Sequence, residues 1–272
     1  MPYLNREDAN IFYTDQGDGQ PVLLLHGYAC DSHDWSFQIP VLLEHGLRVI
    51  AMDHRGHGRS NATEHASYNW DALAEDAIAL VRSLEVGPVI LVGHSMSTCI
   101  TSMIAAEHGG IVKAHVLVHP IYGLGERLPP ALIQLVETMK DRRDRASEIV
   151  ASWFEQVMYT QDTPDWIRTW NHRRVLETSP VTLLGCMKGM LELDDKVIGR
   201  TEQTKALMRK RSAPRLAICT SPAALEWEKE LGLRDEVDEV HIIEQGTFAH
   251  ITAHEEVNKI LAGWLRKRGY VV

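Results

Sequence analysis

The stretch Val89-Ile90-Leu91-Val92-Gly93-His94-Ser95-Met96-Ser97-Thr98 constrains this chain most, because an apolar run of strand length ends abruptly on a serine between small residues. It reads as a strand, a sharp turn and a helix. A serine carried on such a turn projects its hydroxyl clear of the backbone, and the N–H of the next residue, Met96, points to the same spot at the start of the helix. That arrangement supplies a nucleophile and half of an oxyanion hole. The pattern of such an elbow is G-x-S-x-G, and here Ser97 stands in the last position. Serine is small enough to let helix and strand approach.

The segments around this elbow alternate between two periodicities. Residues 22–25 form a continuous apolar run, as expected for a strand covered on both faces, and 48–52, 114–118, 215–219 and 239–243 read as further strands. Segments 34–44, 68–84, 98–108, 223–231 and 255–266 carry helical spacing, and two short strands are expected within residues 3–15. Strands and helices in alternation argue for a parallel sheet flanked by helices, whose ligands belong at the carboxyl ends of the strands. Ser95, His26-Gly27 and His119 all fall at such ends. From 123 to 211 the rhythm changes to helices alone, broken by Pro129-Pro130, Pro164 and Pro180 and enriched in Trp153, Trp166 and Trp170. This segment is expected to form a lid, with residues 1–122 and 212–272 as the core domain.

With 272 residues, 44% hydrophobic and 24% charged, the chain can bury a large core without staples. A net charge of −9 disfavours nucleic acid or an anionic membrane as partner, since either calls for a basic face. Cys30, Cys99, Cys186 and Cys219 are far apart and suggest neither zinc nor a disulfide framework. No apolar run reaches bilayer length and the N-terminus lacks a signal core, so a cytoplasmic protein is the expectation. The strand-end histidines show no ligand spacing with carboxylates and no glycine-rich phosphate loop is present, so neither a metal nor a cofactor is expected.

A serine hydroxyl needs an adjacent base, normally histidine. Of the 14 histidines, His250 is preferred, because it follows the last strand on the catalytic edge and precedes the closing helix. His94 adjoins Ser95 in sequence, but neighbours on an elbow diverge, so it is expected to line the site.

Taken in order, His26-Gly27, Asp53-His54-Arg55-Gly56-His57-Gly58-Arg59-Ser60, Gly93-His94-Ser95-Met96-Ser97 and Gly246-Thr247-Phe248-Ala249-His250 resemble the motifs of the α/β-hydrolase fold. The resemblance implies a mostly parallel, eight-stranded sheet with flanking helices and a helical cap. It also implies Ser95 as nucleophile, His250 as general base, and the N–H groups of Tyr28 and Met96 as the oxyanion hole. The acid of the triad departs from the family. Residues 220–224 offer no carboxylate, and the alternative place after strand 114–118 is His119. His119 is therefore expected in the third position, with Glu126 as a substitute acid and Glu226 as a more distant one. A neutral imidazole there stabilises an imidazolium less than a carboxylate does. His26, Gly27, His94 and Trp153 are expected to contact substrate.

The function this implies is cleavage of an ester, lactone or activated carbon–carbon bond in a small apolar or aromatic substrate through an acyl-serine. Two alternatives stand beside it. One is a cofactor-free dioxygenase or lyase using His250 as base; the other is a ligand-binding protein without turnover. The expected partners are a small-molecule substrate and, in a homodimer, a second copy of the chain.

Overall fold

The computed structural model describes residues 2–61, 63 and 65–271. Its frame is an eight-stranded sheet in the order β1-β2-β4-β3-β5-β6-β7-β8. The strands are β1 (Tyr3–Asn5), β2 (Asn10–Gln16), β3 (Pro21–Leu25), β4 (Arg48–Met52), β5 (Val89–His94), β6 (Val112–Val118), β7 (Arg215–Cys219) and β8 (Glu239–Ile242). The first two run antiparallel at one edge, and β4 through β8 with β3 form a parallel block. Every residue of β3, β5 and β7 is buried, Arg215 and His94 included. Each such Val, Leu or Ile side chain contributes about 1.5–3 kcal/mol on leaving water.

Two apolar layers enclose the sheet. On one face lie α2 (Trp70–Ser83) and α3 (Met96–Glu107), with Leu73, Ile78, Cys99 and Ile100 buried against Leu23, Ile50 and Leu91. On the other, Trp35 and the closing helix α11 (His254–Lys267) bury Val257, Leu261 and Trp264 against Val22, Val92 and Val116. Asn69 starts α2 by accepting from the Ala72 N–H, which satisfies one of the donors left open at a helix N-terminus.

The expected helix 34–44 is in fact a short 3-10 turn at Ser32–Trp35 followed by α1 (Ile39–Glu44). Asp31, not Asp34, caps the turn, and Pro40 seats the start of α1, where its missing N–H costs nothing. Asp34 is thereby released to point inward.

Between β6 and β7 run α4 (Pro130–Asp141), α5 (Ala146–Val157), α6 (Asp165–Glu177), α7 (Pro180–Glu192) and α8 (Glu202–Arg209). No strand occurs there among the described residues. Glycines let α7 settle onto the core: a Cβ at Gly185 would lie 2.6 Å from the Cβ of Tyr68. The Trp70 indole donates to the Cys186 carbonyl at 3.0 Å, and the Tyr28 hydroxyl donates to the Leu183 carbonyl at 3.0 Å. The helices therefore close over the carboxyl edge of the sheet. No helix among the described residues is long and apolar enough to cross a membrane.

Candidate active site

Ser95 sits between β5 and α3 with φ +50° and ψ −116°, a left-handed conformation that a residue with a side chain adopts at a cost of about 1–3 kcal/mol. The bend is held from all sides. The Ser95 N–H donates to the Val118 carbonyl at 3.0 Å, and the Ser95 carbonyl accepts from the Thr98 N–H at 2.8 Å and the Thr98 hydroxyl at 2.6 Å. A Cβ on Gly93 would stand 2.5 Å from the Ser97 carbonyl oxygen, so glycine is required for the helix to turn back this closely.

Ser97, the departure from the expected glycine, has its own partners. Its hydroxyl donates to the His26 carbonyl at 2.5 Å and meets Nε2 of His54 at 2.8 Å. It thus ties the elbow to the loops after β3 and β4. Replacing Ser97 by glycine, although it restores the usual motif, is expected to cost about 1–3 kcal/mol by stranding two buried polar groups. Urea denaturation tests this, and an unchanged midpoint would contradict it.

Above the elbow lies a cavity of about 360 Å³. Ser95, Met96, Tyr28, His119 and Thr247 form its floor, and Trp153, Met158, Met187, Met190, Leu124 and Leu128 are among its walls. The N–H groups of Tyr28 and Met96 have no acceptor among the described residues, which leaves both available to an oxyanion.

The remaining expected residues are distributed differently. Trp153 lines the cavity, whereas His26, Gly27 and His94 are not among its lining residues. These three lie behind the elbow, where Nδ1 of His26 meets the Gly27 carbonyl at 2.7 Å and His94 Nε2 meets the Thr247 carbonyl at 2.8 Å. Glu126 is exposed and absent from the cavity wall, so it supplies no charge to an imidazole there.

His250 is also absent from that wall. It sits in a helical turn, α10 (Ala249–Thr252), wholly buried, with neither ring nitrogen hydrogen-bonded to a described residue. No hydrogen bond joins it to Ser95. Four residues earlier, Gly246 turns the chain at φ +71°, and Thr247 faces the cavity instead.

The partner of His250 is a residue the sequence did not point to. Oδ2 of buried Asp34 lies 4.0 Å from His250 Nε2 and 3.7 Å from His94 Nδ1. Nη1 of Arg174, from α6, lies 2.6 Å from Oδ1 of the same carboxylate and 3.1 Å from Asp31. Sequence spacing suggested no ligand set, yet Asp34, His94 and His250 bring metal-ligating atoms within 4.8 Å of one another. The guanidinium already supplies Asp34 with a counter-charge, the role a cation would take. Arg174 lies 143 positions from Asp31 along the chain, a separation at which no local pattern betrays a pairing.

Burial pushes the imidazoles of His94 and His250 below their ordinary range; neighbouring imidazoles and Arg174 lower His250 further, whereas Asp34 and the Thr247 carbonyl partly offset the shift at His94. His119 is brought down to about 3 by burial and then by His94. Its Nδ1 is hydrogen-bonded to the Thr220 hydroxyl.

A serine on a strained strand-to-helix turn, at the carboxyl edge of an eight-stranded sheet and under inserted helices, is the architecture of the α/β-hydrolase fold. The model of the alpha/beta hydrolase fold matches residues 20–184, and the chain belongs to that family. It is 38% identical over 136 residues to a non-heme haloperoxidase of Rhodococcus erythropolis, a match covering 49% of this chain and 47% of that protein. The chain spans about half the length of the curated relatives it matches. Among solved structures it resembles a thermophilic esterase from Thermogutta terrifontis, with a TM-score of 0.81, 21% identity, and coverage of 95% and 94% of the two chains. It resembles equally an enol-lactonase from Burkholderia xenovorans, with a TM-score of 0.81, 16% identity, and coverage of 97% and 100%.

Proposed function

We propose that this protein hydrolyses esters or lactones of small apolar acids through an acyl intermediate on Ser95. The observation that carries this reading is the strained Ser95 turn opening into an apolar cavity beside two unpartnered N–H groups. Strain of this kind persists only where the surroundings enforce it, and here it aims a hydroxyl at a pocket. The esterase and the enol-lactonase that share the fold favour the same bond class. The walls of Trp, Met and Leu supply contact area for a hydrocarbon group but few polar fixtures, so chain length rather than functional groups sets the preference.

A binding role without turnover is favoured by one observation, that the β8 loop offers the cavity Thr247 rather than an imidazole. A series of p-nitrophenyl acetate, butyrate and hexanoate, with small lactones beside it, separates the two. Hydrolysis is expected, with kcat/KM about tenfold higher for butyrate or hexanoate than for acetate, the scale of a few methylenes in an apolar pocket. Saturable binding of these esters with no release of nitrophenolate would leave the binding role standing and overturn the hydrolytic one.

A further inference from the structure

We infer that His119, and no histidine of the β8 loop, is the imidazole that takes the proton of Ser95, with Thr220 holding it in position. The assignment deepens the hydrolytic reading and rests on it. Its first support is topological. β5 and β6 are adjacent parallel strands whose register ends on the pair His94 and Val118, and the Ser95 N–H donates to the Val118 carbonyl. Ser95 and His119 are therefore the next residues of two neighbouring strands, side by side at the carboxyl edge.

His119 is the only histidine lining the cavity among the described residues. Its backbone has φ +56°, the left-handed region that residues with side chains avoid, and its N–H donates to the Ile218 carbonyl at 2.9 Å. The strand end is thus bent and pinned at the same place as the elbow. In the tautomer whose Nδ1–H donates to the Thr220 hydroxyl, Nε2 carries the lone pair. His94 and His250 lie behind the elbow, fully enclosed, and His94 is committed to the Thr247 carbonyl. Thr247 has no group that accepts a proton near neutral pH.

The steps balance without further reagents. The Ser95 oxygen bonds to the carbonyl carbon as its proton passes to Nε2 of His119, and the oxyanion is met by the N–H groups of Tyr28 and Met96. The carbon–oxygen bond to the alcohol then breaks, and the alcohol leaves with that proton. Water repeats the sequence: its proton goes to His119, its oxygen to the acyl carbon, and Ser95 departs with the proton returned. A hydroxyl behind the imidazole stabilises the imidazolium less than a carboxylate does, so the enzyme is expected to be slow.

The test is the burst of nitrophenolate from p-nitrophenyl butyrate, with covalent labelling of Ser95 by a fluorophosphonate as a second readout. His119→Ala, and His119→Gln as the space-filling companion, are expected to slow acylation by about 10²–10⁴-fold. Free imidazole in the buffer is expected to restore part of the rate in the alanine variant, which a structural role of His119 would not allow. His250→Gln is expected to acylate within about threefold of wild type per folded molecule. Wild-type acylation by both His119 variants, or a loss confined to His250→Gln, would overturn the assignment while leaving Ser95 as nucleophile. A wild-type protein that neither releases nitrophenolate nor labels at Ser95 would remove the hydrolytic reading, and this assignment with it.

Discussion

Acidification below about pH 6.5 is expected to unfold this protein steeply. An unfolded histidine titrates near 6.5, whereas burial is the leading cause holding His54, His57, His94, His115, His119 and His250 below that value in the fold. Above the unfolded value both states are neutral and the contribution is fully present. As pH falls, the unfolded chain takes up protons that the native state refuses, and stability is lost progressively from 6.5 toward about 3, the value of His57 and His119. Each fully differential proton costs about 1.4 kcal/mol per pH unit. Several together approach the whole stability of an ordinary domain, about 5–15 kcal/mol, within one or two units. Urea denaturation at pH 7.5, 6.5, 5.5 and 4.5, on conventional intervals of about one unit, gives the slope directly. A midpoint unchanged across that range would mean that these imidazoles are solvated or paired in a way the structure does not contain.

The second large effect is chemical. Ser95→Ala is expected to lower ester hydrolysis by at least about 10³-fold, because it removes the hydroxyl that the strained turn presents beside the oxyanion donors. The substitution keeps the turn, the Val118 and Thr98 hydrogen bonds and the apolar walls, none of which uses the hydroxyl. Substrate binding should therefore survive, and a KM within a few-fold of wild type is the companion expectation for any turnover that remains. Full activity in this variant would move the chemistry away from acyl transfer.

Much of the frame is visible in the residues. The runs that became β3 to β7 are mostly apolar segments of strand length, the pattern of strands covered on both faces. The elbow is legible for the same reason, since Gly93 and Ser97 leave room for a turn at Ser95. The imidazole is not legible in the same way. Thr247 and His250 follow the same strand, and a turn at Gly246 followed by one helical turn decides which of them meets the cavity. His250 falls on the inward side of that turn, against Trp35 and His94. Asp34 stayed hidden because its partner, Arg174, belongs to a helix inserted after six strands of the sheet. Spacing along a chain reports neighbours within one element, and ion pairs between elements leave no period to read. His119 was visible as an anomaly, a histidine where a carboxylate was sought. Its bond to Thr220 and its place on the cavity floor turn that anomaly into a candidate base.

Peptide-level mass spectrometry after a brief exposure to p-nitrophenyl butyrate, quenched in acid, tests the proposed chemistry most directly. A butyryl group on the peptide carrying Ser95, absent from Ser95→Ala, is the predicted result. Steady release of nitrophenolate with no acyl group trapped on Ser95 at any quench time, and equal release from Ser95→Ala, would contradict it.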